Sequence, residues 1–297
     1  MIGRIIEVQN SHYLSVKNGF LVVTDAGTCV GKIPLDDIAA LILSGPHTTL
    51  SVHLINRLHE HHAIIVLTDA QYLPANIIWP INHFHQIGAR LKCQLALSLV
   101  LKKQLWKQIV YEKLLRQKQI LDALYSKTTD FQTIINNLRS GDSTNQEAVG
   151  AKKYWPLLFG PEFRRSDATN PINHRLNYGY TILRSLIARS VAASGLNPAL
   201  GIHHKNESNA FCLVDDLMEP YRPFIDYYVY RTDNTIGTLT PTLKKHMVDY
   251  IYTNFQCANQ FSPLPNCIHK TIFSYVNSLE SKHVELVFPN LTICDDS

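Results

Sequence analysis

The pattern of apolar positions changes along the chain. Up to residue 79, short apolar or alternating runs are separated by turn-forming residues, which is typical of strands. These runs lie at residues 4–8, 12–16, 20–23, 41–43, 63–67 and 77–79. Asn18 and Gly19 stand directly before the third run, and this dipeptide is the strongest short-range signal for a β-hairpin. We therefore predict a small strand-rich region that contains a hairpin.

One amphipathic helix interrupts the strand pattern. Its apolar face is formed by residues at helical spacing, namely Leu50, Leu54, Ile55 and Leu58. Thr48 and Thr49 precede this face, and threonine is a favoured residue at the start of a helix. We therefore predict that the helix starts at these two residues.

From residue 86 onward the apolar period becomes helical. The residues that fit one or two long helices are Leu91, Leu95, Leu99, Leu105 and Ile109. A further helix is predicted at residues 173–194, where Gly195 supplies a C-terminal stop. The change of pattern falls near residues 81–85. The sequence therefore predicts an α+β protein with a small N-terminal β-strand-rich domain (1–82) and a larger all-α C-terminal domain (83–297).

Composition limits the class of protein. The chain has 297 residues, of which 45% are hydrophobic and 18% are charged, so it can bury a core and disorder is not expected. The six cysteines form no C-x-x-C pair, which argues against a zinc ribbon and against a disulfide-rich secreted protein. No signal peptide and no apolar run of about 20 residues is present, so we expect a soluble protein of the cytoplasm.

The net charge of +4 permits a nucleic-acid partner without requiring one. Cations are concentrated in one predicted helix, at residues 102–118, where Glu112 is the single acid. They are Lys102, Lys103, Lys107, Lys113, Arg116 and Lys118. Two interpretations remain open: an ordinary solvated helix face, or a surface that contacts phosphate groups.

Three separate segments carry residues that suit a divalent metal ion. Glu147 lies in the first, the adjacent His203 and His204 lie in the second, and Asp216 and Glu219 lie in the third. Asp216 and Glu219 are three positions apart and would share one face of a helix. Two carboxylates that close repel each other unless a cation or proton lies between them. Oxygen ligands with one imidazole suit Mg²⁺ or Mn²⁺ better than zinc.

Each acidic residue also has a purely structural interpretation. Thr144-x-x-Glu147 has the form of a capping box, in which the threonine and glutamate side chains bind each other's backbone at the start of a helix. Asp216-x-x-Glu219 has the same form. Pro220 leaves open whether a helix begins at Asp215 or just before the proline.

Together, these motifs resemble a known family. NQE at 145–147, AKKYW at 151–155, GIHH at 201–204 and DLMEPYRP at 216–223 are similar, in this order, to the signature of the CRISPR-associated spacer-acquisition integrase, the Cas-one endonuclease. The last motif is similar to members from type II systems. The resemblance covers the whole chain: a strand-rich N-terminal portion followed by a helical portion that carries the motifs.

The resemblance implies a set of functional residues. Glu147, His204 and Glu219 match the family's catalytic metal ligands, and Asp216 matches an acidic position that also faces the metal in some members. The spacing to Glu219 favours His204, with His203 as the alternative. Candidates for phosphate contact lie near these ligands in sequence: Lys152, Lys153, Arg164, Arg165 and Arg222.

The resemblance also implies a reaction and partners. With Mg²⁺ or Mn²⁺ bound, such an enzyme inserts short DNA fragments (spacers) into a CRISPR array, by attack of a 3′-OH on a phosphodiester at the edge of a repeat. The expected partners are double-stranded DNA, a second copy of the chain bound through the N-terminal domain, and the small Cas-two protein, with the type II effector nuclease and accessory adaptation proteins as further partners in a prokaryotic cytoplasm. Two alternatives remain: a metal-dependent nuclease unrelated to CRISPR, and a non-catalytic DNA-binding scaffold whose acidic residues are caps.

Overall fold

The computed structural model describes residues 4–61, 63–68, 74–78, 87–125, 129–232 and 239–291. Its N-terminal part consists of β1 (Arg4–Val8), β2 (Tyr13–Lys17), β3 (Phe20–Asp25), β4 (Thr28–Pro34), β5 (Ile38–Leu43), β6 (Thr49–Leu50), α1 (Val52–Glu60), β7 (Ile64–Thr68) and β8 (Pro74–Ile78). The predicted strand signals therefore correspond to strands, apart from Trp79, which lies outside the described residues.

These strands form two sheets. One has the order β4-β3-β2-β6, and the other has the order β1-β5-β7-β8, in which β1, β5 and β7 are parallel and β8 is antiparallel. The predicted hairpin is confirmed, because β2 and β3 pair on either side of Asn18 and Gly19. Both turn residues have positive φ angles, 51° and 78°, as this tight turn requires.

Helix α1 starts later than the sequence predicts. The Ser51 hydroxyl caps it by accepting a hydrogen bond from the backbone N–H of Leu54 at 3.2 Å. Thr49 and Leu50 instead form β6, which pairs with β2. The predicted start at Thr48 and Thr49 is therefore wrong, since the backbone of Thr49 is used by the sheet.

Helices dominate the rest of the chain. They are α2 (Ile87–Leu95), α3 (Leu99–Tyr125), α4 (Thr129–Asn136), α5 (Gln146–Phe159), α6 (Pro171–Ala193), α7 (Cys212–Met218), α8 (Arg222–Arg231), α9 (Pro241–Ile251) and α10 (Leu264–Ser281). A short hairpin that the sequence pattern missed, β9 (Asn254–Cys257) and β10 (Gln260–Pro263), joins the last two.

The predicted fold class is confirmed. The predicted change of pattern at residues 81–85 lies outside the described residues. None of the described helices is long and apolar enough to cross a membrane.

Among the residues that the structure describes, the hydrophobic core has two clusters. The smaller one lies within the N-terminal part and contains residues such as Leu14, Leu21 and Leu41. The larger one fills the helical part, and it also contains residues of the parallel strands, among them Ile42 and Val66. One face of the β1-β5-β7 sheet therefore packs against the helices, so the two parts share a core rather than standing apart.

A buried carboxylate strengthens this contact. Glu7, on β1, accepts hydrogen bonds from Ser44 Oγ (2.7 Å), Tyr178 Oη on α6 (2.8 Å) and Lys244 Nζ on α9 (3.0 Å). Burial raises the pKa of Glu7, but the bonds from Ser44 and Lys244 and the lysine charge outweigh this, so the pKa lies below its ordinary value. The ionised carboxylate therefore ties the sheet to two helices.

We expect Glu7→Gln to lower the free energy of unfolding by about 2 kcal/mol, because it weakens several charge-assisted hydrogen bonds at once. Since the pKa of Glu7 is lower in the folded state, its stabilisation is present above the ordinary value of 4.5 and is lost as the pH falls below it. Urea unfolding between pH 3 and 7 would show the difference between wild type and variant shrinking in acid. Glu60→Gln, at an exposed carboxylate of α1, is the control, and a constant difference across the pH range would contradict the assignment.

Candidate metal centre

The three predicted segments meet at one place in the helical part. Glu147 lies in the first turn of α5, and His204 lies in the loop between α6 and α7. Glu219 begins a 3-10 turn (Glu219–Tyr221) that connects α7 directly to α8. Helix α3 passes behind all three. The site is therefore assembled from four elements that are far apart in the sequence.

A lysine lies between the two glutamates. Lys113 Nζ, on α3, is 2.6 Å from Glu147 Oε1 and 2.6 Å from Glu219 Oε2. The lysine side chain is only 11% exposed and that of Glu219 is 8% exposed. Lys113 is thus not part of a solvated basic face, which was one interpretation of residues 102–118. Arg116, on the same helix, is also buried.

The surrounding charges favour the ionised forms of Lys113 and Glu219. Burial lowers the pKa of Lys113, but the charges of Glu219 and Glu147 outweigh this and hold the pKa above its ordinary value. Burial raises the pKa of Glu219, and the neighbouring Arg222 and Lys113 lower it to below its usual range. The centre therefore contains two carboxylates whose negative charges converge on a single cation.

Asp216 orients the histidine. His204 Nδ1 is 2.5 Å from Asp216 Oδ1, while Asp216 Oδ2 accepts hydrogen bonds from the backbone N–H groups of Ile202 (2.6 Å) and His203 (2.9 Å). The hydrogen bond to Asp216, with the charges of Asp216, Glu219 and Glu147, raises the pKa of His204. Because Nδ1 is engaged, Nε2 is the ring nitrogen left to bind a ligand.

Asp216 differs here from the expectation that it faces the metal. Its side chain is completely buried, and both carboxylate oxygens are occupied by the loop that carries the histidines. Gly201 makes this arrangement possible: a Cβ at this position would lie 2.4 Å from His204 O and 3.0 Å from Asp216 Oδ2. The loop therefore approaches the aspartate as closely as only glycine permits.

The two adjacent histidines have different surroundings. The His203 ring stacks on the Trp106 indole with a centroid distance of 4.2 Å and an angle of 5°, whereas the His204 ring meets the same indole edge-on at 5.7 Å. Trp106 lies seven positions before Lys113, on the same face of α3. The stacked His203 supports the loop, and His204 is the histidine held beside the carboxylates.

Neither proposed capping box is formed. The Asp142 carboxylate caps α5, since Oδ1 accepts from Gln146 N (2.7 Å) and Oδ2 from Glu147 N (3.0 Å). Thr144 instead donates its hydroxyl to Asn137 O at 3.1 Å. Asp216 lies inside α7, which begins at Cys212, so it does not cap a helix either. The structural interpretation of these two acidic motifs is therefore wrong. Neither predicted helix start is observed, since α7 begins at Cys212, α8 begins at Arg222, and Pro220 lies in the 3-10 turn between them.

Three arginines form one wall of the site. Arg222 Nε donates to Glu219 Oε1 at 2.9 Å, and Arg165 donates to the side-chain oxygens of Asn173 (3.0 Å) and Asn177 (2.6 Å). Arg184, which the sequence analysis did not single out, binds both oxygens of Asp215. With His204 and Glu219 they line a cavity of about 440 Å³. Three further predicted phosphate contacts are exposed and lie close to Glu147 or Arg165 in the sequence: Lys152, Lys153 and Arg164.

The donor atoms fit a hard divalent cation. Within the part of the chain that the structure describes, no three His, Cys, Asp or Glu side chains are arranged as a ready metal site. The Lys113 ammonium lies between the two carboxylates instead. That ammonium marks a position where two carboxylates already hold one positive charge. An imidazole whose second nitrogen is fixed by a carboxylate is the usual form of a metal-binding histidine.

Comparison with known proteins gives consistent matches. A family profile described as CRISPR associated protein Cas1 matches residues 6–237. The CRISPR-associated endonuclease Cas1 of Neisseria meningitidis serogroup C (strain 8013) is 33% identical over 290 residues, which cover 96% of this chain and 95% of that protein.

Solved structures share the fold at lower identity. A casposase bound to integration product has a TM-score of 0.78 at 17% identity, covering 100% of this chain and 96% of that chain. A Cas6-RT-Cas1–Cas2 complex contains a chain with a TM-score of 0.80 at 17% identity, covering 99% of this chain and 37% of that chain. At these identities, the likeness concerns the fold alone.

The cap of α5 is open to a direct test. We expect Asp142→Ala to lower the free energy of unfolding by about 1 kcal/mol, because two backbone N–H groups at the start of α5 lose their acceptor. Thr144→Ala, at the residue of the rejected capping box, should change stability by less than about 0.5 kcal/mol. Chemical denaturation of both variants measures this. A larger loss for Thr144→Ala than for Asp142→Ala would contradict the observed cap.

Proposed function

On these matches the chain belongs to the Cas1 family, the endonucleases and integrases of CRISPR adaptation, and we propose that Glu147, His204 and Glu219 form its active centre. The relatives are named CRISPR-associated endonucleases, which favours this function over the two alternatives that the sequence left open, a nuclease unrelated to CRISPR and a scaffold without catalysis.

One observation carries the assignment of the centre. Glu147 and Glu219, which are 72 positions apart in the printed sequence, direct their carboxylates at the same cation, and His204 is oriented beside them by a buried aspartate. Like charges brought this close are favourable only when a cation lies between them. A structural role would not require an oriented, half-exposed imidazole at the same place.

The protein residues divide the chemical work. A divalent ion held by Glu147, His204 and Glu219 would act as a Lewis acid on a phosphodiester oxygen. Asp216 keeps His204 Nδ1 occupied, which leaves Nε2 as the ring nitrogen that would bind the ion. Arg222 lies against Glu219 and over the Tyr180 ring, where its charge can stabilise the negative charge that develops on phosphorus. Attack by a 3′-OH gives integration, and attack by water gives cleavage.

The donor set favours Mg²⁺ or Mn²⁺. Enzymes of this family are metal-dependent. Two carboxylates and one imidazole present hard oxygen and borderline nitrogen donors, without the thiolates that select zinc. We expect either ion to support the reaction.

The predicted DNA contacts fall into two groups. Lys152, Lys153 and Arg164 are exposed and suit contacts with the backbone of the duplex. Arg165 and Arg222 are held inside the site by Asn173, Asn177 and Glu219, so we assign them to the phosphate that reacts. The first group provides affinity, and the second provides charge at the reacting atoms.

The assembly is also a proposal. The Cas6-RT-Cas1–Cas2 complex that shares this fold supports pairing with a small Cas2 protein. We propose that the chain forms a homodimer through its strand-rich part and that two such dimers bind one Cas2 dimer, with the type II effector nuclease and accessory adaptation proteins as further partners.

Light scattering after gel filtration should give twice the mass of one chain. A strictly monomeric protein at micromolar concentration would contradict the dimer.

The active centre is tested by removing its ligands one at a time. Glu147→Gln, His204→Ala and Glu219→Gln should each lower strand transfer and cleavage by on the order of a thousandfold, since a Lewis acid contributes several kcal/mol. The assay uses short duplexes with free 3′-OH ends, a target duplex with a CRISPR repeat, and Mn²⁺. Duplex binding, measured by fluorescence anisotropy, should change little.

Glu207→Gln is the matched control, because Glu207 is an exposed carboxylate three residues after His204. It should retain full strand transfer. Wild-type rates in any of the three ligand variants at saturating Mn²⁺ would refute the assigned centre.

A further inference from the structure

Lys113 lies where two of the proposed metal ligands meet. Its ammonium is 2.6 Å from one oxygen of each glutamate, and the second oxygen of Glu219 accepts from Arg222. A divalent ion bound to both carboxylates would lie about 2.1 Å from their oxygens, in the space between them. An ammonium and a divalent cation cannot share that space. Metal binding therefore requires Lys113 to leave.

A neighbouring cavity offers a place for the displaced ammonium. This side cavity, of about 150 Å³, is lined by Lys113, Gln117, Glu219, Arg222 and Asp226, among others. It lies inside the helical part, since Gln117 is 2% exposed and Asp226 is 1% exposed. Lys113 and Gln117 are one helical turn apart on α3, so their side chains are neighbours.

Gln117 is the observation that points to a missing hydrogen-bond donor in this cavity. Its side-chain oxygen Oε1 is buried and accepts no hydrogen bond. A buried acceptor without a donor is costly and uncommon. The oxygen lies beside α5, within 3.7 Å of where a Cβ on Gly150 would be. A lysine ammonium that moved into the side cavity would supply the hydrogen that this oxygen lacks.

We propose that Lys113 is a positioning residue with two locations: between Glu147 and Glu219 in the metal-free protein, and against Gln117 Oε1 in the side cavity once a divalent ion is bound. This inference rests on the proposed active centre. In the first location the lysine holds the ligands in place before metal arrives. In the second it leaves the space between the glutamates to the metal and lies in a cavity that Arg165, Arg222 and Asp226 also line.

The test measures Mn²⁺ affinity by calorimetry and melting temperature without metal, using the full chain. Lys113→Met should bind Mn²⁺ about tenfold more tightly, because no ammonium has to be displaced, and its metal-free melting temperature should fall. Lys107→Met removes an exposed charge from the same helix and should match wild type in both measurements.

Gln117→Met distinguishes movement from simple repulsion. It should weaken Mn²⁺ binding about tenfold, since the displaced ammonium loses its acceptor. Its metal-free melting temperature should be unchanged or higher, because the lost oxygen had no hydrogen bond. In the Lys113→Met background, Gln117→Met should no longer affect Mn²⁺ affinity, which is a double-mutant cycle on the proposed contact.

Unchanged or weaker affinity in Lys113→Met overturns the proposal, and so does a Gln117→Met effect that persists without Lys113. If Lys113→Met does not fold without metal, unchanged Mn²⁺ affinity in Gln117→Met alone overturns it. Failure of the active centre itself would look different: the wild-type protein would bind no Mn²⁺, or Glu147→Gln would bind it as well as wild type.

Discussion

The structure depends on neutralising several carboxylates that the fold brings together. Glu147, Asp216 and Glu219 would repel one another and resist burial if each lacked a partner. Each is instead met by a charged or hydrogen-bonding partner. Glu147 meets the ammonium on α3, Asp216 meets an imidazole and backbone amides in the loop before α7, and Glu219 meets the same ammonium and the guanidinium of the nearby Arg222. The site is therefore also a point at which four elements are joined, and its chemistry cannot be separated from its role in holding them.

The scaffold places these groups with little freedom. Helices α3 and α6 are covered on most sides, which fixes their orientation, and the missing Cβ of Gly201 lets the histidine loop lie directly on Asp216. The sheet that carries Glu7 packs on the same helical core. The strand-rich part therefore contacts α6 directly, through Glu7 and the shared core. Helix α6 also contains Arg184, which lines the cavity of the site.

Much of this could be predicted from sequence, for identifiable reasons. The strands and the Asn18-Gly19 turn follow from local preferences, and the three motifs indicated the family. The contact of Lys113 with the two glutamates could not be recognised from sequence. Helix α3 buries residues on several sides, so the direction of each of its lysine and arginine side chains depends on what packs against the helix. The predicted cap of α5 was Thr144, but Asp142 carries an equally suitable side chain, and only the turn geometry selects the aspartate. The hairpin before α10 has strands of only four residues, so the polar–apolar alternation of Asn254–Cys257 is too short to identify a strand from sequence.

The stacked pair of Trp106 and His203 has a consequence for observing the protein. The indole is almost completely buried, yet one of its faces is covered by a ring from an exposed loop. Any event that lifts or rotates this loop, such as the arrival of a nucleic acid or a second chain, changes the polarity around that indole before it changes anything deeper. Trp106, one of the three tryptophans of the chain, is thus a native fluorophore in contact with the loop that carries His204, without a label having to be introduced.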